Sequence, residues 1–225
     1  RGLGRRRRGV RARPSRCRGV ILATGRLVLR PFALPDVDAY AAIRAKPEVV
    51  SMLPGGPEAA GRARADAERL VSAWAGAKPG AAPWAVEARE GCRLLGHLGL
   101  RPLPELGGET ELLYMLDSDV WGRGLATEGG AAALRAAFGP LGLRRVIALA
   151  RPENTASLAV MRKLGMRREA EVRVFGVQAV RCATHSAPPL DPFRPDRGQA
   201  VQAPSVSAPG DGGPGEGSAG ACTTC

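Results

Sequence analysis

The chain has 225 residues, with 33 basic and 21 acidic side chains and a formal net charge of +12. That length holds one domain of ordinary size with a full core, and it contains no run of about 18 apolar residues of the kind that spans a membrane. The charge is uneven: residues 1–18 carry nine arginines and no acid, residues 19–190 carry 22 basic and 17 acidic side chains, and residues 191–225 are net −2, so the basicity belongs to an arm and does not mark the fold as a nucleic-acid binder.

Residues 1–19 are read as an Arg-rich, disordered arm, the alternative being an arm for RNA or an acidic partner. No apolar stretch follows the arginines, so no signal peptide is read there, and a cytoplasmic location is expected by default. Leu27 and Leu29 alternate with Arg26, Val28 and Arg30, which predicts a strand over 26–32. Pro35 opens a helix with Asp36 and Asp38 in its first turn, where the dipole favours acids, and with Val37, Tyr40 and Ala41 on its apolar face. After the break at Pro54-Gly55-Gly56-Pro57, a second helix is predicted from about Glu58 to Ala75. Ala63, Ala67, Leu70, Val71 and Trp74 share one of its faces, and Trp74 is read as core.

Trp84–Ala88 and Leu94–Leu100 read as two strands about a turn at Glu90-Gly91. Pro102 to Gly108 reads as a loop, and Glu111–Leu116 as the next strand. A helix is predicted over Gly129–Phe138, ended by Gly139-Pro140. Arg145–Leu149 reads as a short buried strand. Asn154 caps a helix that runs to about Leu164 and stops at Gly165. Residues 167–184 read as a closing hairpin with Phe175-Gly176 near its turn. From Ser186 onward the composition is that of disorder, so the predicted division is an arm over 1–19, a domain over 20–185 and a tail over 186–225.

Between the strand Glu111–Leu116 and the helix lies Trp121-Gly122-Arg123-Gly124-Leu125-Ala126-Thr127-Glu128. Glycines at a strand-to-helix turn let the backbone come close to a ligand, and the first free amides of the helix favour an anion in front of them. The local physics suggests a diphosphate cradle, against the plainer reading of a glycine-rich turn without a ligand. A Walker loop is excluded, because no Gly-Lys-Ser/Thr string follows four residues after a glycine. A dinucleotide fingerprint is excluded, because Thr127 stands where its third glycine belongs. Of the five cysteines (Cys17, Cys92, Cys182, Cys222 and Cys225), the last two have zinc-ligand spacing, but no second pair completes a site. No metal is expected.

Four separated strings, taken in order, resemble the GNAT superfamily of acetyl-CoA-dependent N-acetyltransferases over residues 22 to about 184. They are Leu22–Phe32, which looks like the opening strand; Leu94-Leu95-Gly96-His97-Leu98-Gly99-Leu100; the turn at 121–128; and Arg151–Ser157 followed by Met161–Met166. The branch most similar is the RimJ/RimL type, which acetylates ribosomal-protein N-termini. The resemblance implies an α+β fold with a mixed, mostly antiparallel sheet and helices on both faces, in the order β-α-α-β-β-β-α-β-α-β-β. It also implies acetyl-CoA as co-substrate and an amine acceptor, either a peptide N-terminus or a small molecule. Nucleic acid and membrane are not expected as partners, and the protein is expected as a monomer or homodimer. The competing function is a catalytically silent acyl-CoA-binding or RNA-binding domain.

Residue by residue, the resemblance assigns the diphosphate to the backbone amides of Gly122, Arg123, Gly124, Leu125, Ala126 and Thr127. The family turn reads Gln/Arg-x-x-Gly-x-Gly/Ala, and Trp121 takes its first position. Arg123 would add charge there or remain solvated. A bulge in the preceding strand would free an amide of Met115 or Leu116 for the growing oxyanion. Glu111 would be the base that takes the amine's proton, with Glu109 as a weaker option. Tyr114 is read as core or cofactor wall, and Glu128 as a cap and dipole residue rather than a catalyst. Asn154 and Ser157 would contact the coenzyme A arm. Met161 stands where many family members carry an acidic Tyr. His97 is read as a packed surface histidine. Acceptor choice is expected in the loops around 33–80 and 173–177.

Overall fold

The computed structural model describes residues 22–186; the expected arm at 1–19 and nearly all of the expected tail at 186–225 lie outside the described residues. One eight-stranded sheet runs in the order β1-β2-β3-β4-β5-β6-β8-β7. Its strands are β1 (Leu22–Ala23), β2 (Leu27–Arg30), β3 (Pro83–Ala88), β4 (Leu94–Leu103), β5 (Glu109–Leu116), β6 (Arg145–Ala150), β7 (Arg167–Val174) and β8 (Val177–His185). Every pairing is antiparallel except β5 with β6. Five helices, α1 (Val37–Arg44), α2 (Pro47–Val50), α3 (Ala63–Trp74), α4 (Leu125–Phe138) and α5 (Thr155–Lys163), cover both faces.

Strand alternation divides the core. Leu27, Leu29, Leu98, Leu100, Leu112 and Leu116 point to the face packed by α4 and the buried Met161 of α5. Ala85, Leu94 and Met115 point to the other face, against Phe32, Tyr40 and Ile43 and against Ala67 and Val71 of α3. Trp74 belongs to that second core, its ring 5.3 Å from Phe32 and 5.2 Å from His97, as its helical spacing implies.

The predicted order holds apart from the short helix α2, which the expected order lacks, and there are four further local departures. The opening strand is a small hairpin of β1 and β2, pinned where Thr24 Oγ1 accepts from Leu27 N–H at 2.9 Å. The second predicted helix is a 3₁₀ segment over Pro57–Arg62 that becomes α-helical only at Ala63, since Gly61 disfavours the helix before that point. β4 passes through Pro102 to Leu103 instead of stopping at Leu100. Pro102 lies beyond the last pair with β3, Gly99↔Pro83, and opposite Thr110, where its nitrogen has no ladder bond to donate.

The fourth departure is that α4 begins four residues before Gly129. The pair Gly129-Gly130 reads locally as a poor helix, but both glycines serve packing. A Cβ at Gly129 would lie 2.9 Å from Leu98 Cδ1, and one at Gly130 would lie 2.7 Å from Leu164 Cδ1.

Candidate active site

The turn after β5 is built from its side chains. The Asp117 carboxylate accepts from Asp119 N–H at 3.3 Å and holds Lys46 Nζ at 2.6 Å and the Arg93 guanidinium. Trp121 Nε1 donates to Leu116 O at 2.8 Å. Gly122 and Gly124 follow at φ 73° and 74°, in the left-handed region that costs glycine little. The space beside them is open: nothing lies within 4 Å of a Cβ at Gly122, and only Arg26 Nη2 approaches one at Gly124, at 3.8 Å. Because α4 starts at Leu125, the amides of Leu125, Ala126 and Thr127 form its free first turn, where the dipole favours an anion.

Glu128, in the same turn, is not free to react. Its Oε1 accepts from Thr24 Oγ1 at 2.5 Å and from Arg26 N–H at 2.9 Å, and its Oε2 accepts from Arg26 Nε at 2.6 Å. Arg26 Nη1 donates in turn to Arg123 O at 2.8 Å. The glutamate therefore ties the cradle to the β1–β2 hairpin. The Arg123 side chain itself is exposed beside the glycines.

Upstream of the turn the sheet opens. β5 pairs with β6 only at Glu111↔Ile147, while β6 pairs with β8 along its whole length. Beyond Glu111 the two parallel strands part. β5 keeps an unbroken register with β4, and the register shift of the β3–β4 pair leaves Leu95 of β4 as the extra residue, between Gly96↔Val86 and Leu94↔Glu87. No bulge interrupts the β4–β5 ladder, while β5 and β6 do splay apart.

Asp117 N–H donates to Leu95 O at 2.7 Å, continuing the β4–β5 ladder by one pair. Alternate residues of an antiparallel strand bond the same neighbour. The N–H groups of Met115, Leu113 and Glu111 are therefore turned to β4, and those of Tyr114 and Leu116 to the open side. Of the two expected amide donors, Leu116 faces the opening. Met115 does not, and its side chain packs in the second core.

A cavity of about 160 Å³ occupies the split. Glu111, Leu113 and Tyr114 line it from β5, Leu149 and Ala150 from β6, and Asn154 and Ser157 from the start of α5. Met52–Pro54 and Val174–Phe175 close its mouth, and both segments fall in the loops expected to choose the acceptor. The structure thus brings Glu111, Asn154 and Ser157 together. Residues 122–127 lie outside this cavity, at the N-terminus of α4. Asn154 Oδ1 accepts from Ser157 N–H at 3.0 Å, the predicted cap. Tyr114 Oη donates to Ser157 O at 3.1 Å, joining β5 to α5. Burial pushes the Tyr114 phenol up to about 12, so it stays protonated and serves as wall.

Glu111 is nearly buried, and its Oε2 accepts from Arg101 Nε at 2.8 Å; its Oε1 has no hydrogen bond among the described residues. Burial raises its pKa above the ordinary glutamate value, and the Arg101 charge only partly opposes this. Glu109 is committed elsewhere, accepting from Arg145 Nε at 2.6 Å. His97 is buried rather than at the surface. Its Nδ1 shares a 2.8 Å hydrogen bond with Tyr40 Oη, and burial pushes its pKa down to about 3. Among the described residues no cluster of His, Cys, Asp and Glu could hold a metal ion, and no helix is long and apolar enough to cross a membrane.

A family model described as an acetyltransferase (GNAT) domain matches residues 26–167. The chain belongs to the GNAT acetyltransferase family. The N-acetyltransferase YnaD of Bacillus subtilis (strain 168) is 30% identical over 149 residues, spanning 66% of this chain and 83% of the relative. A GNAT-family acetyltransferase structure from Bacillus anthracis superposes with a TM-score of 0.61 at 26% identity, covering 74% of this chain and 98% of that one. RimL, a ribosomal L7/L12 α-N-protein acetyltransferase in complex with coenzyme A, shares the fold at a TM-score of 0.57 and 18% identity, with coverage of 74% and 98%.

As a GNAT member the protein is an acetyl-CoA-dependent N-acetyltransferase. The chain's own geometry fits that co-substrate, with an open glycine turn and free helix amides for a diphosphate and a split sheet for an extended arm. Sequence reasoning missed Arg101 as a site residue. Carrying β4 through to Leu103 would have set Arg101 opposite Glu111 in the hairpin register, where opposite charges stabilise a cross-strand pair.

Proposed function

We propose that the protein acetylates a primary amine, on a protein N-terminus or a small molecule, with Glu111 as the base, and that it belongs to the RimJ/RimL-like branch. The observation that carries this reading is the position of Glu111, a buried carboxylate with one unengaged oxygen at the point where β5 and β6 part. An ammonium group has no lone pair, so the acceptor must lose a proton before it attacks. Glu111 Oε1 is open to receive that proton, and a carboxylate made more basic by burial holds it more firmly.

Acetyl-CoA supplies an activated acyl carbon. The amides of Gly122–Thr127 hold its diphosphate, and Asn154 and Ser157 flank its arm. The N–H of Leu116 is the donor for the oxyanion. Met161 is buried in the core, so α5 offers no acid at that position, and a thiol with a pKa of about 8.5 leaves without one.

Thiol release from acetyl-CoA, followed over a panel of amines, tests the reading. The wild type is expected to turn over at least one amine, and Glu111→Gln to lower kcat at least about tenfold while retaining the thermal shift given by acetyl-CoA. Unchanged turnover in that variant removes Glu111 from the mechanism.

A further inference from the structure

The acceptor side of the cavity has a charge pattern that the transfer reaction does not require. Two arginines and one carboxylate line it: Arg101, Arg151 and Glu111. The other polar side chain lining it from β4, His97, is neutral near pH 7 because burial holds its pKa near 3. Arg151 is paired through Nε with Glu153 at 2.9 Å, a residue outside the lining. Arg101 is held more rigidly. Its Nε donates to Glu111 Oε2 at 2.8 Å, and its guanidinium carbon sits 5.5 Å from the centroid of the Phe175 ring.

These two contacts fix the guanidinium between the β4–β5 pair and the β7–β8 turn. They engage only Nε; neither Nη amino group of Arg101 has a hydrogen-bond partner among the described residues, and the side chain is one-third exposed. A guanidinium presents five N–H donors in a planar fork suited to a carboxylate. The unused edge lies beside the carboxylate assigned to the amine. The rest of the mouth, Met52, Leu53, Pro54, Val174 and Phe175, is apolar.

We propose that the acceptor is an amine bearing a carboxylate a few bonds from its nitrogen, with Arg101 as the residue that recognises the carboxylate while Glu111 takes the amine. This rests on the acetyltransferase reading above. The chemistry is shared by a free amino acid and by a peptide whose first side chains are acidic. It disfavours polyamines and other polycations, whose added charges would meet Arg101 and Arg151.

The test uses the full chain with acetyl-CoA and matched acceptors: amino acids against their amides, and short peptides with Asp against the same peptides with Asn. The amide of an amino acid gives up its ammonium proton more readily, so intrinsic reactivity favours it, and a preference for the acid reports recognition. The wild type is expected to favour the carboxylate member of at least one series about tenfold or more in kcat/KM, and the series that shows it identifies the source. Arg101→Gln is expected to bring that ratio to unity or below, and Arg101→Lys to restore part of it, whatever happens to absolute rates. Equal use of acid and amide by the wild type in both series, or an undiminished ratio in Arg101→Gln, overturns the proposal alone. Absence of thiol release with every amine overturns the acetyltransferase reading and this one with it.

Discussion

At the scale of single residues, two titrations follow from burial. Glu111 must be ionised to accept a proton, and burial places its pKa above the ordinary glutamate value while Arg101 restrains the rise. Measured as kcat with both substrates saturating, activity is expected to fall as pH drops through a limb above 4.5, and Arg101→Gln is expected to move that limb upward. A limb that stays in place would mean the titrating group is not Glu111. His97 acts on stability instead. Between about 3 and 6.5 the unfolded chain binds a proton that the buried imidazole refuses. Stability therefore declines as pH falls through that window, by up to about 1.4 kcal/mol per unit. His97→Gln, which keeps a hydrogen-bond partner for Tyr40, is expected to flatten the dependence in urea melts taken from pH 7 to 4. Glu111 was legible in the sequence through its place in the strand string before the glycine turn. Arg101 was not, because the predicted strand ends at Leu100, and the burial of His97 was not, because it depends on Tyr40 and Trp74 packed against it from distant helices.

At the scale of elements, the start of α4 is held by one side chain. Glu128 takes three hydrogen bonds from Thr24 and Arg26, and Arg26 reaches on to the Arg123 carbonyl. Hydrogen bonds to a charged group contribute about 1.5–3 kcal/mol each when buried and less when exposed, as here. Glu128→Ala is expected to raise the KM for acetyl-CoA severalfold and leave kcat near wild type, since the clamp positions the cradle and not the reacting atoms. A fall in kcat with KM unchanged would instead place Glu128 in the chemistry. The sequence showed the place of the glycine turn between β5 and α4, and the structure finds Gly122 and Gly124 there at left-handed φ. It placed the helix start at Gly129, four residues late, with Gly129 and Gly130 inside the helix. Their purpose is contact with Leu98 and Leu164, and those contacts are nonlocal.

At the scale of the whole molecule, a ligand that binds only the folded chain stabilises the fold by mass action. A ligand at a hundred times its Kd contributes about 2.7 kcal/mol, so acetyl-CoA is expected to raise the melting temperature by several degrees and adenosine to leave it nearly unchanged. A cooperative melt with no response to acetyl-CoA would leave the glycine turn as a turn only. Most of the order of elements, the strand alternation, the Asn154 cap and the glycine turn were determined by the sequence, because each depends on residues within a few positions of one another. What only the tertiary structure decided is the split between β5 and β6, the facing of the Leu116 amide onto it, and the placing of Phe175 over the Arg101–Glu111 pair. The split depends on where β8 pairs with β6 and where β5 ceases to, a balance of ladder bonds between residues 30 to 40 positions apart in the chain, which no local pattern encodes.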